Sequence, residues 1–81
     1  MPAELEQASL LPVRSMADIG RIVRQERKRR RMSQAEFAAL CGVGRRFLVE
    51  LERGKPSLRT DRMIDVLSNA GIALYIGLEV S

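Results

Sequence analysis

The feature that most constrains this chain is a pair of short helical segments separated by a glycine-containing turn. Ser33 and Glu36 have the spacing of a capping box, which predicts a helix over about residues 34–41 that Gly42 ends. A second short helix is predicted over residues 45–53. Helices of this length are marginal on their own in water, so both must pack against other elements. The chain is therefore expected to form a helical bundle.

Two further helices are predicted on either side of this pair. Ser15 and Asp18 resemble a capping box in which Asp replaces the usual Glu, and they predict a helix over about residues 16–30. Thr60 is the expected N-cap of a last helix, which Gly71 ends. The apolar residues of these segments are Met16, Ile19, Val23, Met63, Ile64, Val66 and Leu67.

The two ends of the chain differ from the helical domain, which is predicted over residues 15–71. Residues 1–14 contain two prolines and no sustained apolar period, so a flexible arm is predicted there. Residues 72–81 alternate in polarity, which predicts a β-strand. The side chains assigned to this strand are Ile72, Leu74, Tyr75, Ile76, Leu78 and Val80.

A lone strand leaves its backbone donors and acceptors without partners. We therefore expect the strand to pair antiparallel with the same strand of a second copy, which gives a two-fold homodimer. The alternative is pairing with the N-terminal arm of the same chain, and Pro12 in that arm weighs against it. The expected fold class is thus all-α, with one C-terminal strand that pairs across the dimer.

The charge of the chain indicates a polyanionic partner. Lys and Arg number 14 against 10 Asp and Glu, for a net charge of +4. All but two of the cations are Arg, whose planar guanidinium matches phosphate groups and guanine edges bidentately.

The composition argues against catalysis, metal binding and membrane insertion. Cys41 is the single cysteine and there is no histidine, so an intrachain disulfide, the common zinc sites and histidine bases are excluded. We expect no catalytic residue, no cofactor and no metal, and the chain is not expected to be an enzyme. No apolar run approaches the roughly 20 residues that span a bilayer, and no signal peptide begins the chain, so a cytoplasmic, nucleoid-associated protein is expected.

Two short helices joined by a tight turn form the helix-turn-helix unit, whose second helix enters the DNA major groove. Arg45, Arg46 and Glu50 are predicted to face outward from this helix and to contact bases. Arg can donate to guanine O6 and N7, while Glu can accept from the cytosine amine. Glu50 therefore contacts cytosine or orients Arg46 across one helical turn, and the sequence leaves both options open.

The chain resembles the Xre/Cro-type helix-turn-helix regulators, whose fold is that of the lambda repressor, over Ile19 to Leu67. The resemblance is carried by Ser33, Gln34, Ala35, Glu36, Phe37, Ala38, Gly42, Val43, Leu51, Glu52, Arg53, Gly54 and Lys55. It implies that Gln34 binds a DNA phosphate, and Ser33 and Gln34 also lie at a helix N-terminus, which favours anions. It further implies a buried ion pair between Arg27 and Glu52. It also implies contacts with the DNA backbone by Arg53, Lys55, Arg59 and Arg62. The alternative for each of these four cations is that it is simply solvated at the surface.

Two positions depart from the family pattern. Gly44 stands where a Ser or Thr often caps the recognition helix, and Gly is an acceptable cap. Arg31 stands where a Gly often follows the first helix. Because a left-handed Arg is strained, that helix is predicted to end differently.

The C-terminal strand resembles that of HipB-like antitoxins, which dimerise through such strands, repress their own operon and hold a kinase-like toxin. The resemblance implies a sequence-specific regulator of double-stranded DNA, an autorepressing antitoxin with a HipA-like kinase toxin as its partner. A stand-alone repressor without a toxin is one alternative. A basic protein-interaction module, which would show no preference among DNA sequences, is the other.

Overall fold

The computed structural model describes residues 10–76 of the 81-residue chain. The helices in this part are α1 (Met16–Arg29), α2 (Gln34–Cys41), α3 (Arg45–Glu52) and α4 (Thr60–Asn69). The predicted helical segments are confirmed to within one or two residues at each end. None of these helices has the length and apolar content that crossing a bilayer requires.

The core lies where α3 packs against α1 and α2, with α4 closing the far side of α2. Its fully buried large side chains are Phe37, Leu48, Leu51, Val23, Val66 and Cys41. Aliphatic residues, Cys41, Met63 and a single Phe form this core, to which α3 contributes Leu48 and Leu51. The recognition helix predicted from the sequence is thus held in place by the buried side chains that it shares with α1 and α2.

Helix α1 approaches α3 so closely that only glycine fits at the crossing. A Cβ atom at Gly20 would overlap the carbonyl oxygen of Leu51 and lie 2.8 Å from that of Glu52. Next to this crossing, Gly54 has φ +78 and packs on the backbone of Ala17. The orientation of α3 is therefore set by backbone contact with α1 as well as by side-chain packing.

The capping box predicted for α2 is present. The Glu36 N–H donates to Ser33 Oγ at 3.1 Å, and the Ser33 N–H donates to Glu36 Oε1 at 2.9 Å. Hydrogen bonds from the backbone and side chain of Ser33 lower the pKa of the Glu36 carboxyl group. Gly42 ends the helix in the left-handed conformation with φ 73.

Gly44 is confirmed as the N-cap of α3 and Ser15 as the N-cap of α1, but the capping box predicted at Ser15 and the N-cap predicted at Thr60 are wrong. Ser15 precedes α1 without a side-chain cap hydrogen bond, and Asp18 accepts instead from the N–H of Arg14 at 2.8 Å. Asp is one methylene shorter than the Glu that the reciprocal box uses. In α4, Thr60 is already helical and the N-cap position belongs to Arg59, whose guanidinium donates to Asp61 in the first turn.

The prediction that α1 would avoid a left-handed Arg is also wrong. Arg31 has φ 56, and its N–H donates to the Lys28 carbonyl at 3.0 Å. The next N–H, of Met32, donates to the Arg27 carbonyl at 3.3 Å, and the Met32 side chain packs on the core. These contacts hold Arg31 in a conformation that it would otherwise avoid.

The end of α4 is tied to the end of α1. Arg30 Nη2 donates to the Ala70 carbonyl at 2.7 Å, and its guanidinium lies 5.8 Å from the centre of the Phe37 ring. Gly71 then turns the chain with φ 73, and Ile72 packs against the core.

The predicted strand falls only partly within the described residues. Residues 72–76 have no regular structure in the single chain, and Leu74, Tyr75 and Ile76 are exposed. Leu78 and Val80 lie outside the described residues, as does most of the predicted arm. The strand and its pairing therefore stay predictions.

Candidate nucleic-acid interface

The outer face of α3 is distinct from its buried face. Leu48 and Leu51 are inaccessible to solvent and face the core. The opposite side of the helix is accessible to solvent. It is formed by residues about one helical turn apart, namely Arg45, Arg46, Val49, Glu50 and Arg53. All three predicted base-contacting residues thus share one accessible face. Val49 belongs to this face too, although its apolar side chain had given no reason to select it.

Arg46 and Glu50 form an ion pair one turn apart on that face. Arg46 Nε lies 3.4 Å from Glu50 Oε1, while the Arg46 side chain is 92% exposed. The second carboxylate oxygen, Glu50 Oε2, lies 3.4 Å from Nζ of Lys55 in the following loop. Glu50 is only 26% exposed. Glu50, whose role the sequence leaves open, is therefore flanked by two cations.

Arg27 and Glu52 form a second ion pair, directed into the molecule. Arg27 Nε and Nη2 donate to the two Glu52 oxygens at 2.7 and 3.0 Å, so the pair is bidentate. The side chains are 12% and 4% exposed. Hydrogen bonding to Glu52 raises the pKa of Arg27. Because Arg27 Nη1 also donates to the Met32 carbonyl at 3.0 Å, this pair ties α1, the following turn and α3 together.

The N-terminus of α2 lies beside this ion pair. Gln34 Nε2 donates to Glu52 Oε1 at 3.3 Å, which braces the start of α2 against the end of α3. The capping box uses the backbone N–H groups of Ser33 and Glu36, whereas those of Gln34 and Ala35 have no acceptor in the described part of the chain. Free N–H groups at a helix N-terminus attract anions.

The four cations predicted to contact the DNA backbone are all accessible but differ in their present partners. Lys55 is held by Glu50, and Arg59 donates to Asp61 at 2.7 Å between two exposed side chains. Arg53 and Arg62 are exposed. Arg59 must therefore release Asp61 before it can bind a phosphate. Arg53 and Arg62 have no ion-pair partner among the described residues.

An open depression connects the start of α2 with the outer face of α3. Its lining consists of Arg24, Arg27, Gln34, Val49, Glu52 and Arg53. Arg24 is an exposed cation of α1 that was not selected from the sequence. Its position three residues before Arg27, on the same helix face, was the available signal.

Among the described residues, no cluster of three or more His, Cys, Asp or Glu side chains could hold a metal ion. Cys41 is buried, and burial raises the pKa of its thiol, which disfavours the reactive thiolate. Its carbonyl accepts from Asn69 Nδ2 at 2.9 Å. This residue therefore belongs to the α2–α4 packing.

Two sequence comparisons with known proteins agree on one family, and a solved structure shares the fold. The sequence model of the helix-turn-helix family matches residues 23–75. A curated relative, the uncharacterized HTH-type transcriptional regulator y4mF of Sinorhizobium fredii (strain NBRC 101917 / NGR234), is 41% identical over 64 residues, which are 79% of this chain and 84% of the relative. The chain of a HipB variant, solved in complex with an O2 20mer, is similar in fold, with a TM-score of 0.75 at 14% identity, over 85% of this chain and 96% of that chain.

Proposed function

Since the chain belongs to the helix-turn-helix family of transcriptional regulators, which bind DNA, we propose that it recognises a specific double-stranded operator by inserting α3 into the major groove. The observation that carries this proposal is the outer face of α3. Arg45 and Arg46 project from its first turn, and the residues behind them are fully buried. Arg side chains at the start of a recognition helix are suited to guanine edges.

The proposal assigns the surrounding polar residues to the DNA backbone. The hydroxyl of Ser33 and the side chain of Gln34 would hold one phosphate together with the free N–H groups of Gln34 and Ala35, beside the depression that Arg24 also lines. Arg53, Lys55, Arg59 and Arg62 would contact the flanking phosphates. Such contacts position the protein on the duplex without selecting its sequence.

We also propose a two-fold homodimer formed by the strand over residues 72–81. Helix α1 carries the N-terminal arm at its first residue, while the C-terminal segment leaves at the other end, where Arg30 holds Ala70. At 1.5 Å per residue these two points are about 20 Å apart along α1. A strand of ten residues is about 33 Å long, so this separation permits pairing with the arm. A partner strand is favoured instead by Pro12 in the arm and by the exposed Leu74, Tyr75 and Ile76.

The dimer has a direct test. A variant that ends at Gly71 retains the four helices of the described residues and the buried core, so it should sediment as a monomer while the full chain sediments as a dimer. The operator half-sites should lie about 34–36 Å apart, as in other two-fold helix-turn-helix dimers. A dimeric truncated variant would refute the role of the strand.

An autorepressing antitoxin is the more specific form of the proposal. It is supported by the fold shared with the HipB chain, and it predicts binding to DNA upstream of the protein's own gene and to a HipA-like kinase toxin. A repressor without a toxin is the second candidate, since the curated relative is called only an HTH-type transcriptional regulator. A partner toxin encoded in the same operon, captured by the tagged chain, would distinguish the two.

The operator proposal is tested by binding to the protein's own upstream DNA and to a scrambled duplex at two salt concentrations. We expect the wild type to prefer its own DNA, and Arg46→Ala to lose about 1–3 kcal/mol of this preference while keeping salt-dependent binding. Arg29→Ala is the charge-matched control, because Arg29 is exposed and paired with Glu26 on another face of α1. Equal binding of both duplexes by all three proteins would favour a basic protein-interaction module.

A further inference from the structure

We infer that Glu50 is a positioning residue, which fixes Arg46 for contact with a guanine and does not itself contact a base. The inference rests on the proposed operator binding and extends it to the determinant of sequence preference. It begins from the three-residue arrangement of Arg46, Glu50 and Lys55, in which each carboxylate oxygen of Glu50 lies 3.4 Å from a different cation.

The atoms used by the Arg46–Glu50 pair leave the guanine-binding edge of Arg46 free. Glu50 accepts a hydrogen bond from Nε of Arg46, the guanidinium nitrogen that is attached to the aliphatic part of the side chain. The two terminal Nη groups remain, and a bidentate contact to guanine O6 and N7 requires two such N–H donors. Because the Arg46 side chain is 92% exposed, this edge faces solvent. Glu50 thus restricts the rotamers of Arg46 without occupying its donors.

The position of Glu50 is less suited to direct contact with a base. Its side chain is 26% exposed against 92% for Arg46, so the arginine extends much further from α3. A carboxylate in a groove lined by phosphates is repelled unless cations compensate its charge. Arg46 and Lys55 supply that compensation, and they already lie at both oxygens that would accept from a cytosine amine.

Lys55 is placed by the backbone as well as by its charge. Its N–H donates to the Glu50 carbonyl at 3.1 Å, which fixes the loop after α3 next to the carboxylate. An ammonium group has three donors, so Lys55 can hold Glu50 and a phosphate together. The two cations therefore have separate roles. Arg46 selects the base pair, and Lys55 balances the negative charge of Glu50, which orients Arg46.

The experiment is a binding cycle that combines protein and operator substitutions. Affinities are measured for the wild type, Arg46→Ala, Glu50→Gln and the double variant, each on the operator and on duplexes with every base pair changed singly. The base pair at which Arg46→Ala loses its preference identifies the guanine. Glu50→Gln should lose about tenfold of the preference at that same base pair, and it should change nothing there once Arg46 is absent.

Two more variants separate orientation from charge. Glu50→Asp keeps the negative charge but withdraws it from Arg46, so it should lose the same preference as Glu50→Gln. Lys55→Ala should weaken binding to every duplex alike and lower the salt slope by about 0.9, with the preference at the guanine unchanged. All these side chains are at least partly exposed, and circular dichroism verifies that each variant remains folded.

The possible results are distinct. A Glu50→Gln effect at a cytosine that Arg46 does not read, or losses from the two residues that simply add, would overturn the inference and make Glu50 a base-contacting residue. A wild type that shows no preference at any base pair would instead overturn the proposed function, and the inference with it. Loss of preference at one shared base pair, absent from the Arg46→Ala background, establishes the positioning role.

Discussion

Two glutamates of α3, only two residues apart, form ion pairs of opposite kinds. Glu52 is 4% exposed and accepts two hydrogen bonds from Arg27 across to α1, whereas Glu50 is 26% exposed and lies 3.4 Å from Arg46 on its own helix. Two residues correspond to about 200° around a helix, so one carboxylate faces inward and the other outward. The same type of side chain therefore stabilises the fold at position 52 and belongs to the accessible face of α3 at position 50.

The largest expected effect comes from breaking the inward pair. Glu52→Ala leaves the Arg27 guanidinium largely buried without a carboxylate, which should lower the free energy of unfolding by about 3–5 kcal/mol. Glu50→Ala is the matched control, since an exposed pair of this type contributes about 0.3–0.5 kcal/mol. Urea denaturation of both variants measures the difference. Equal destabilisation would show that the two pairs do not differ as their burial implies.

The next effect concerns the contact that brings α1 to α3. Gly20→Ala would place a methyl group against the carbonyl oxygens of Leu51 and Glu52, and we expect destabilisation of about 1–3 kcal/mol, as for other overpacked sites. Gly44→Ala is the control for the added methyl group, because its φ is −71 and nothing lies within 4 Å of the added Cβ, so it should cost only the poorer N-cap, about 0.5–1 kcal/mol. Thermal unfolding compares the two. A tolerated Gly20→Ala would mean that α1 can move away without disturbing the inward pair.

The smallest effect is the pH dependence of a third glutamate, Glu36. Its hydrogen bonds with Ser33 lower its pKa in the folded state below the usual 4.5, so its contribution is present above that pH. The contribution is lost as the pH falls below 4.5 and through the folded pKa. Glu36→Gln should make the decline of stability with acidification shallower than in the wild type, as followed by thermal melts from about pH 6 to about pH 3. An unchanged slope would exclude this carboxylate as a contributor.

Local signals allowed much of the fold to be predicted. The Ser33–Glu36 box, Gly42 and Gly54 act over a few residues, so the sequence alone placed α2 and α3 within a residue of their observed ends. The left-handed conformation of Arg31 was not predicted, because it is held by the contacts of Met32 with the core and not by a local signal. The need for glycine at position 20 depends on a helix that lies about 30 residues further along the chain.

The candidate site was predictable where a residue type has a recognised role at a helix position, as for Arg45, Arg46 and Gln34. Arg24 and Val49 were missed, because their place beside the α2 N-terminus follows from the packing of α1 against α3. Lys55 was expected at a phosphate, and its pairing with Glu50 depends on how the loop after α3 folds back. The strand depends on residues outside the described range and on a second chain.

The segregation of α3 into a buried face and an accessible face has a consequence for how such a protein can change. Leu48, Leu51 and Glu52 hold the helix in place, and none of them lies on the face formed by Arg45, Arg46, Val49, Glu50 and Arg53. Substitutions on one face therefore leave the other nearly undisturbed. Within a genome that carries several copies of this fold, the outer residues can diverge until each copy has its own target while the scaffold stays constant. A combinatorial library of substitutions on the outer face of α3 would likewise change the DNA target while leaving the scaffold unchanged.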